Sequence, residues 1–307
     1  MPDKLMRGDP LKLKNDARHD QAARGFLSRE RLIGGAAALI FLGFLFFYGL
    51  RWFEHTVSFH PVRYDASDKW TPPAGAQDVL ITAADGIRLH GWFFETSERP
   101  AVATIIFFHG NGGNIRNVGW VGERLSSRGF DVLLLDYRGY GRSDGDVDGE
   151  VGLYADADAG YQYVTNTRGV RPEGVVLYGQ SLGTAVAADL ASRKRCAAII
   201  LESGFSSVSD LASTVLPLLP RQLHFLAKNR FESARKLSRV DCPVLITHGD
   251  PDGTIPTEHG YRLFAAAKEP KKLLIFPGAG HNVFGSQGDG YLDLIADFVL
   301  NAVKTNH

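Results

Sequence analysis

Residues 175–183, Val-Val-Leu-Tyr-Gly-Gln-Ser-Leu-Gly, admit few conformations. An apolar, β-branched run climbs to Gly179, Ser181 stands two places later, and the alanine-rich stretch 184–190 follows. The pattern predicts a strand, a sharp turn and a helix, with G-x-S-x-G on the turn. A serine hydroxyl is a weak nucleophile unless it is lifted clear of the backbone beside a base, and such a turn does the lifting. Gly179 and Gly183 leave room where a Cβ would clash, and the N–H of Leu182 is left to meet an oxyanion. A second match, Gly141-Arg142-Ser143-Asp144-Gly145, lies past the end of the run 132–136 with no alanine-rich helix behind it. Its glycines and charges read as a loop and Ser143 as a solvated serine.

Around this stretch apolar runs alternate with helically spaced segments. Residues 78–82 and 87–95 flank Asp85-Gly86, a hairpin signal. Strands are expected at 103–108, 131–137, 174–178, 197–201, 244–247 and 272–276. Helices are expected at 115–128, 149–167, 182–195, 257–267 and 290–303. Unbroken apolar strands between helices mean a mostly parallel sheet covered on both faces, here with an antiparallel hairpin added at its N-terminal edge. Residues 204–239 break the alternation with serine, leucine and proline, and predict a short lid where strand C-termini open. The domain is expected over 78–307, with no internal repeat and no second domain.

The N-terminal part differs in kind. Residues 1–31 are polar and basic-leaning. Residues 32–50 then carry no charge, and at ~1.5 Å per residue such a helix spans about 28 Å, close to the ~30 Å of a bilayer core. Arg51 and Trp52 follow as interfacial residues. The run is too long for a usual signal peptide core, so one transmembrane helix is expected, with 51–77 as a tether. Lys12, Lys14, Arg18, Arg24, Arg29 and Arg31 precede the span, whereas Arg51, Arg63 and Lys69 follow it. That bias predicts a cytoplasmic N-terminus and an extracytoplasmic domain. The formal net charge of zero gives no reason to expect a nucleic-acid partner. Cys196 and Cys242 read as small buried hydrophobes, no Cys/His cluster has metal-ligand spacing, and no cofactor is expected.

A serine nucleophile needs a base, an acid that orients the base, and oxyanion donors. On such a sheet the order is Ser, then Asp or Glu, then His. The strand ending at Thr247 runs into His248-Gly249-Asp250-Pro251-Asp252-Gly253, and the next runs into Gly278-Ala279-Gly280-His281. His281, preceded by Gly278 and Gly280, which let the backbone bend, is the expected base. Either Asp250 or Asp252 could face it; Pro251 and Gly253 bracket Asp252 as turn residues do, which favours Asp252. His109 and His248 read as structural. The loop 110–114 after His109 is expected to supply a second oxyanion donor, the N–H of Asn111. Its glycines lack the Lys-Ser/Thr of a phosphate loop.

Taken together, His109-Gly-Asn-Gly-Gly-Asn114, Asp136-Tyr-Arg-Gly-Tyr-Gly-Arg-Ser143, Gly179-Gln-Ser-Leu-Gly183, Gly249-x-x-Asp252-x-x-Ile255-Pro256 and Gly280-His281 resemble the α/β-hydrolase fold. The chain is most similar to the membrane-anchored, single-pass branch of small serine hydrolases, over about residues 78–303. The resemblance implies Ser181, Asp252 and His281 as a triad, and hydrolysis of esters, thioesters or monoacylglycerols. It also implies a mainly structural role for the loop 136–143. Carboxylic ester hydrolysis is the leading expectation, on a small-molecule ester or lipid-like substrate. A thioesterase or peptidase on the same triad is the alternative, and a non-catalytic binding protein on this fold is the reading from another class.

Overall fold

The unbroken apolar runs lie at the centre of one large sheet in the computed structural model, which describes residues 33–49, 51, 52, 54, 56, 58–65, 67, 70–215 and 227–305. In chain order the strands are β1 (His60–Pro61), β2 (Ala76–Thr82), β3 (Arg88–Phe94), β4 (Ala103–Phe108), β5 (Gly112–Gly113), β6 (Phe130–Leu135), β7 (Val175–Gln180), β8 (Ala198–Glu202), β9 (Val244–Gly249) and β10 (Lys271–Phe276). The helices are α1 (residues 33–49), α2 (Gly119–Ser126), α3 (Glu150–Gln162), α4 (Leu182–Ala191), α5 (Val208–Val215), α6 (Ser233–Leu237), α7 (Glu258–Ala266), α8 (Val283–Gln287) and α9 (Asp289–Thr305).

The main sheet runs β10-β9-β8-β7-β4-β6-β3-β2. Pairing is parallel from β10 through β6. β3 then pairs antiparallel to β6, and β2 antiparallel to β3. Successive residues of a strand point to opposite faces, so a strand buried on both must be apolar throughout. In β4, Ile106 and Phe108 join one core with Leu133, Leu177, Leu153 of α3 and Ala185 of α4. Ile105 and Phe107 join the other with Leu134, Val176, Val121 of α2 and Val299 of α9. Each such side chain contributes about 1.5–3 kcal/mol by leaving water. Truncating Phe107, fully buried, would cost about 3–5 kcal/mol.

The expected strands and long helices are present, with shifted ends. The helix expected at 115–128 opens as a 3-10 turn at Ile115–Val118, because the Asn114 side chain caps the N–H of Arg116. The helix expected to 167 ends its regular part at Gln162 and continues as a π-helical turn. Helices α5, α6 and α8 and strands β1 and β5 had no counterpart in the periodicity, being too short to show one. Cys196 and Cys242 are free, half-buried, and in contact through their sulfurs at 3.1 Å.

The chain divides into two units, Met1–His55 and Thr56–His307. In the first, α1 exposes every side chain from Ile33 to Gly49, Leu39 and Ile40 among them. No helix among the described residues is long and apolar enough to cross a membrane. The polar segment 1–31 and the ends of the expected span, Leu32 and Leu50, lie outside the described residues. In the second unit, part of the stretch expected as a tether is integral to the fold. β1 pairs with β5, Phe59 is buried, and the N–H of Tyr64 donates to the Gly141 carbonyl at 2.7 Å.

Candidate active site

Ser181 sits between β7 and α4 with φ 54° and ψ −116°. A non-glycine residue at positive φ is strained, and it persists only where its surroundings over-determine it. The surroundings here are two glycines. A Cβ on Gly179 would stand 2.3 Å from the Gly183 carbonyl oxygen, and one on Gly183 would stand 1.9 Å from that of Phe108. The Ser181 N–H donates to the Glu202 carbonyl at 2.9 Å, and the Thr184 hydroxyl donates to the Ser181 carbonyl at 2.6 Å. The backbone that carries the hydroxyl is therefore pinned on both sides.

Two loops at the C-terminal ends of β9 and β10 meet it. His281 Nε2 lies 2.9 Å from Ser181 Oγ, and His281 Nδ1 lies 2.8 Å from Asp252 Oδ2. Residues separated by up to 100 positions thus form one hydrogen-bonded chain. Asp252 Oδ1 accepts the N–H groups of Thr254 and Ile255, both at 2.9 Å. Burial alone would raise the Asp252 pKa. Hydrogen bonds from His248, His281 and the Ile255 amide outweigh it and hold the carboxyl well below the usual carboxylate range. Asp250, exposed, instead accepts the Gly278 N–H at 2.7 Å and ties the two loops together.

His248 is fully buried, and its Nε2 faces the Ile255 carbonyl at 2.8 Å and Asp252 Oδ2 at 3.2 Å. Both neighbours are acceptors, so Nε2 carries the proton. His248 is structural, as expected, but it acts directly on Asp252. His109 donates from Nδ1 to the Gly110 carbonyl at 2.7 Å, and its burial lowers its pKa. It packs on Tyr137 and Tyr140 and supports the loop rather than meeting Ser181.

That loop is anchored from three sides. Buried Asp136 accepts the Ile115 N–H at 2.9 Å. The Asn111 side-chain oxygen accepts the Tyr140 hydroxyl at 3.0 Å and the His60 N–H at 3.1 Å. Its amide nitrogen meets His60 Nδ1 at 3.0 Å. Asn111 and Leu182 both border the cavity above Ser181. Leu182 opens α4, where the first N–H groups have no partner inside the helix. Ser143 corrects an expectation. It is buried, donating to the Asp136 carbonyl at 2.8 Å and accepting the His90 N–H at 2.9 Å. Its neighbours Arg142 and Asp144 are exposed, while the serine turns inward to tie the loop to β3.

The cavity holds about 660 Å³. Ser58 and His60 form one wall, and α5 forms another through Val208, Leu211, Ala212 and Val215. These positions recur at i, i+3, i+4 and i+7, one helical face. Phe205, Phe231 and Ile255 close the apolar floor. The described part of the stretch expected as a lid thus walls the site, while residues 216–226 lie outside the described residues. Among the described residues no group of three or more His, Cys, Asp or Glu could hold a metal ion. Sequence reasoning missed the wall at 58–60 and the buried Glu202, for which neither periodicity nor motif gave a signal.

The family model described as serine aminopeptidase S33 matches residues 99–238. An uncharacterized Escherichia coli protein, YfhR, is 36% identical over 241 residues, covering 76% of this chain and 83% of that protein. Alpha/beta hydrolase domain-containing protein 17B of Xenopus tropicalis is 33% identical over 252 residues, covering 82% and 83%. Among solved structures, a Pyrococcus furiosus esterase, Pf2001, superposes with a TM-score of 0.62 at 21% identity, covering 80% of this chain and 98% of that one.

Proposed function

We propose that this chain, which belongs to the α/β-hydrolase family with YfhR and α/β hydrolase domain-containing protein 17B, is a serine hydrolase that cleaves carboxylic esters with an apolar acyl group. One observation carries the reading: the hydrogen-bonded line Ser181–His281–Asp252 opens onto a cavity walled by apolar side chains. Ser181 Oγ attacks the acyl carbonyl while His281 Nε2 takes its proton. Asp252 holds the imidazole with Nδ1 protonated and stabilises the imidazolium that forms. The N–H groups of Asn111 and Leu182 receive the oxyanion. The alcohol leaves with the proton from His281, and water activated by the same nitrogen then releases the acid from Ser181.

A thioester would meet the same machinery with a different leaving group. The name of the matching family model raises a peptidase reading. An aminopeptidase must hold a free ammonium, and among the described lining residues none is Asp or Glu. That absence favours the ester. The uncharged, fully exposed face of α1 supports a membrane anchor, and the cations before residue 32 support an extracytoplasmic domain.

A fluorophosphonate probe tests the class. It should label the wild-type chain and not Ser181→Ala, while Ser143→Ala keeps most labelling and loses about 1–3 kcal/mol of stability through the unpaired His90 N–H. An unlabelled wild type would leave only a binding role on this fold. A chain-length series of p-nitrophenyl esters, beside thioesters and peptide amides, ranks the substrates. Peptide amides turned over faster than every ester would sink the ester assignment.

A further inference from the structure

Glu202 ends β8, between the strand that carries Ser181 and the strand that carries Asp252. It is fully buried. Its backbone carbonyl accepts the Ser181 N–H at 2.9 Å. Its side chain reaches the other way: Oε1 accepts the N–H of Phe284 at 3.1 Å, in the short helix α8 that begins two residues after His281. Oε2 accepts the hydroxyls of Tyr178 at 2.5 Å and Tyr291 at 3.2 Å. Tyr291 also meets Tyr178 at 3.2 Å and the Thr247 hydroxyl at 2.8 Å. One residue therefore grips the backbone of the nucleophile with its main chain and the segment behind the base with its carboxyl.

We propose that Glu202 is a positioning residue that sets the spacing between Ser181 and His281. The inference rests on the hydrolase reading and adds to it a residue that touches neither substrate nor reacting atoms. A buried carboxylate is costly unless donors surround it, and here every neighbour that faces it can donate. These are Tyr178 from β7, Tyr291 from α9 and the Val283 and Phe284 amides from α8, with Thr247 of β9 behind Tyr291. A site built this way is committed to one geometry. Protonation weakens the bond to Phe284, because a neutral carboxyl accepts less strongly than a carboxylate. Burial pushes the Glu202 pKa up to about 7, so this loosening falls where a serine hydrolase works. The expected consequence is that protonation of Glu202 steepens the acid limb of the wild type's pH profile.

Steady-state kinetics of the full chain on a p-nitrophenyl ester, followed across pH, test this. Glu202→Gln keeps the volume and one acceptor but is neutral at every pH. Its kcat above pH 8 should fall about 10–100-fold, the scale of a misplaced reacting group, with KM within about 2-fold. The acid limb of kcat/KM should flatten toward a single ionisation, a change that a loss of stability alone would not produce. Glu202→Ala should fall further. If it does not fold, the isosteric glutamine variant carries the test. A glutamine variant with wild-type kcat and an unchanged acid limb overturns the positioning role while the hydrolase reading stands. A wild-type chain that neither turns over esters nor takes the probe overturns the hydrolase reading and this inference with it.

Discussion

Asp252 accepts four donors: two backbone amides, His281 and His248. Asp252→Asn would put an amide N–H where His281 must donate, and impose the wrong tautomer on the base. By analogy with other triads, kcat should fall ~10³–10⁴-fold with the fold retained by circular dichroism. Asp250→Asn should leave kcat within a few fold and cost about 1 kcal/mol, the scale of its bond to Gly278. If the Asp250 variant is the inactive one, the acid is misassigned. The two buried acids also act oppositely on stability. Asp252 has a folded pKa below its ordinary value of 3.8, so its contribution is full above that pH and is lost on acidification through the folded value. Glu202 is raised from 4.5 to about 7, so between those values the native state binds more protons. Its linkage therefore lowers stability as pH rises across that window. Urea unfolding at stepped pH should show that decline in the wild type and a shallower one in Glu202→Gln.

Among elements, β1 and α5 shape the site most directly. β1 is two residues long, yet it pairs with β5 and places His60 against the Asn111 side chain. Phe59 beside it is buried near the Phe231 ring, with centroids 6.2 Å apart. A chain shortened to begin at Trp70 should lose at least ~10-fold in kcat/KM, since small displacements at the proposed oxyanion donor, Asn111, would be costly. One beginning at Thr56 should keep its activity. Equal activity of the two would show that 56–69 is only a connector. α5 presents Val208, Leu211, Ala212 and Val215 to the cavity. Ala212→Trp should reduce turnover of long-chain esters more than of acetate esters, because the added ring occupies acyl volume. A uniform loss across chain lengths would point to a displaced nucleophile instead.

For the whole molecule, the open matter is where the hydrolase unit works. The cations Lys12, Lys14, Arg18, Arg24, Arg29 and Arg31, which precede an uncharged run, argue for an extracytoplasmic domain. A reporter that is active only in the cytoplasm, fused after residue 307, should stay silent. A strong signal from it would reverse the orientation. Removal of residues 1–55 should release the hydrolase unit from membranes with its ester activity intact, since those residues form a unit of their own. Retention of that shortened chain on membranes would place the anchor elsewhere.

The alternation of strands and helices, the turn under Ser181 and the order Ser181, Asp252, His281 were legible without coordinates. Each is written in neighbouring residues: unbroken apolar runs, glycines that permit a tight turn, a proline and a glycine around an acid. Such signals survive in a linear string because the forces behind them act within a few residues. The grip of Glu202 on both halves of the site was not legible, nor the second imidazole on Asp252, nor the wall at 58–60. These depend on which strands become neighbours in the sheet. Glu202 and Phe284 lie 82 positions apart, and His60 and Asn111 lie 51 apart. Ser143 makes the same point from the other side. Its motif reads like that of Ser181 and its charged neighbours read like solvent, yet the hairpin packed against it turns it inward. Whether a polar side chain meets water or a buried partner is decided when distant segments close over it, and only the tertiary structure contains that event.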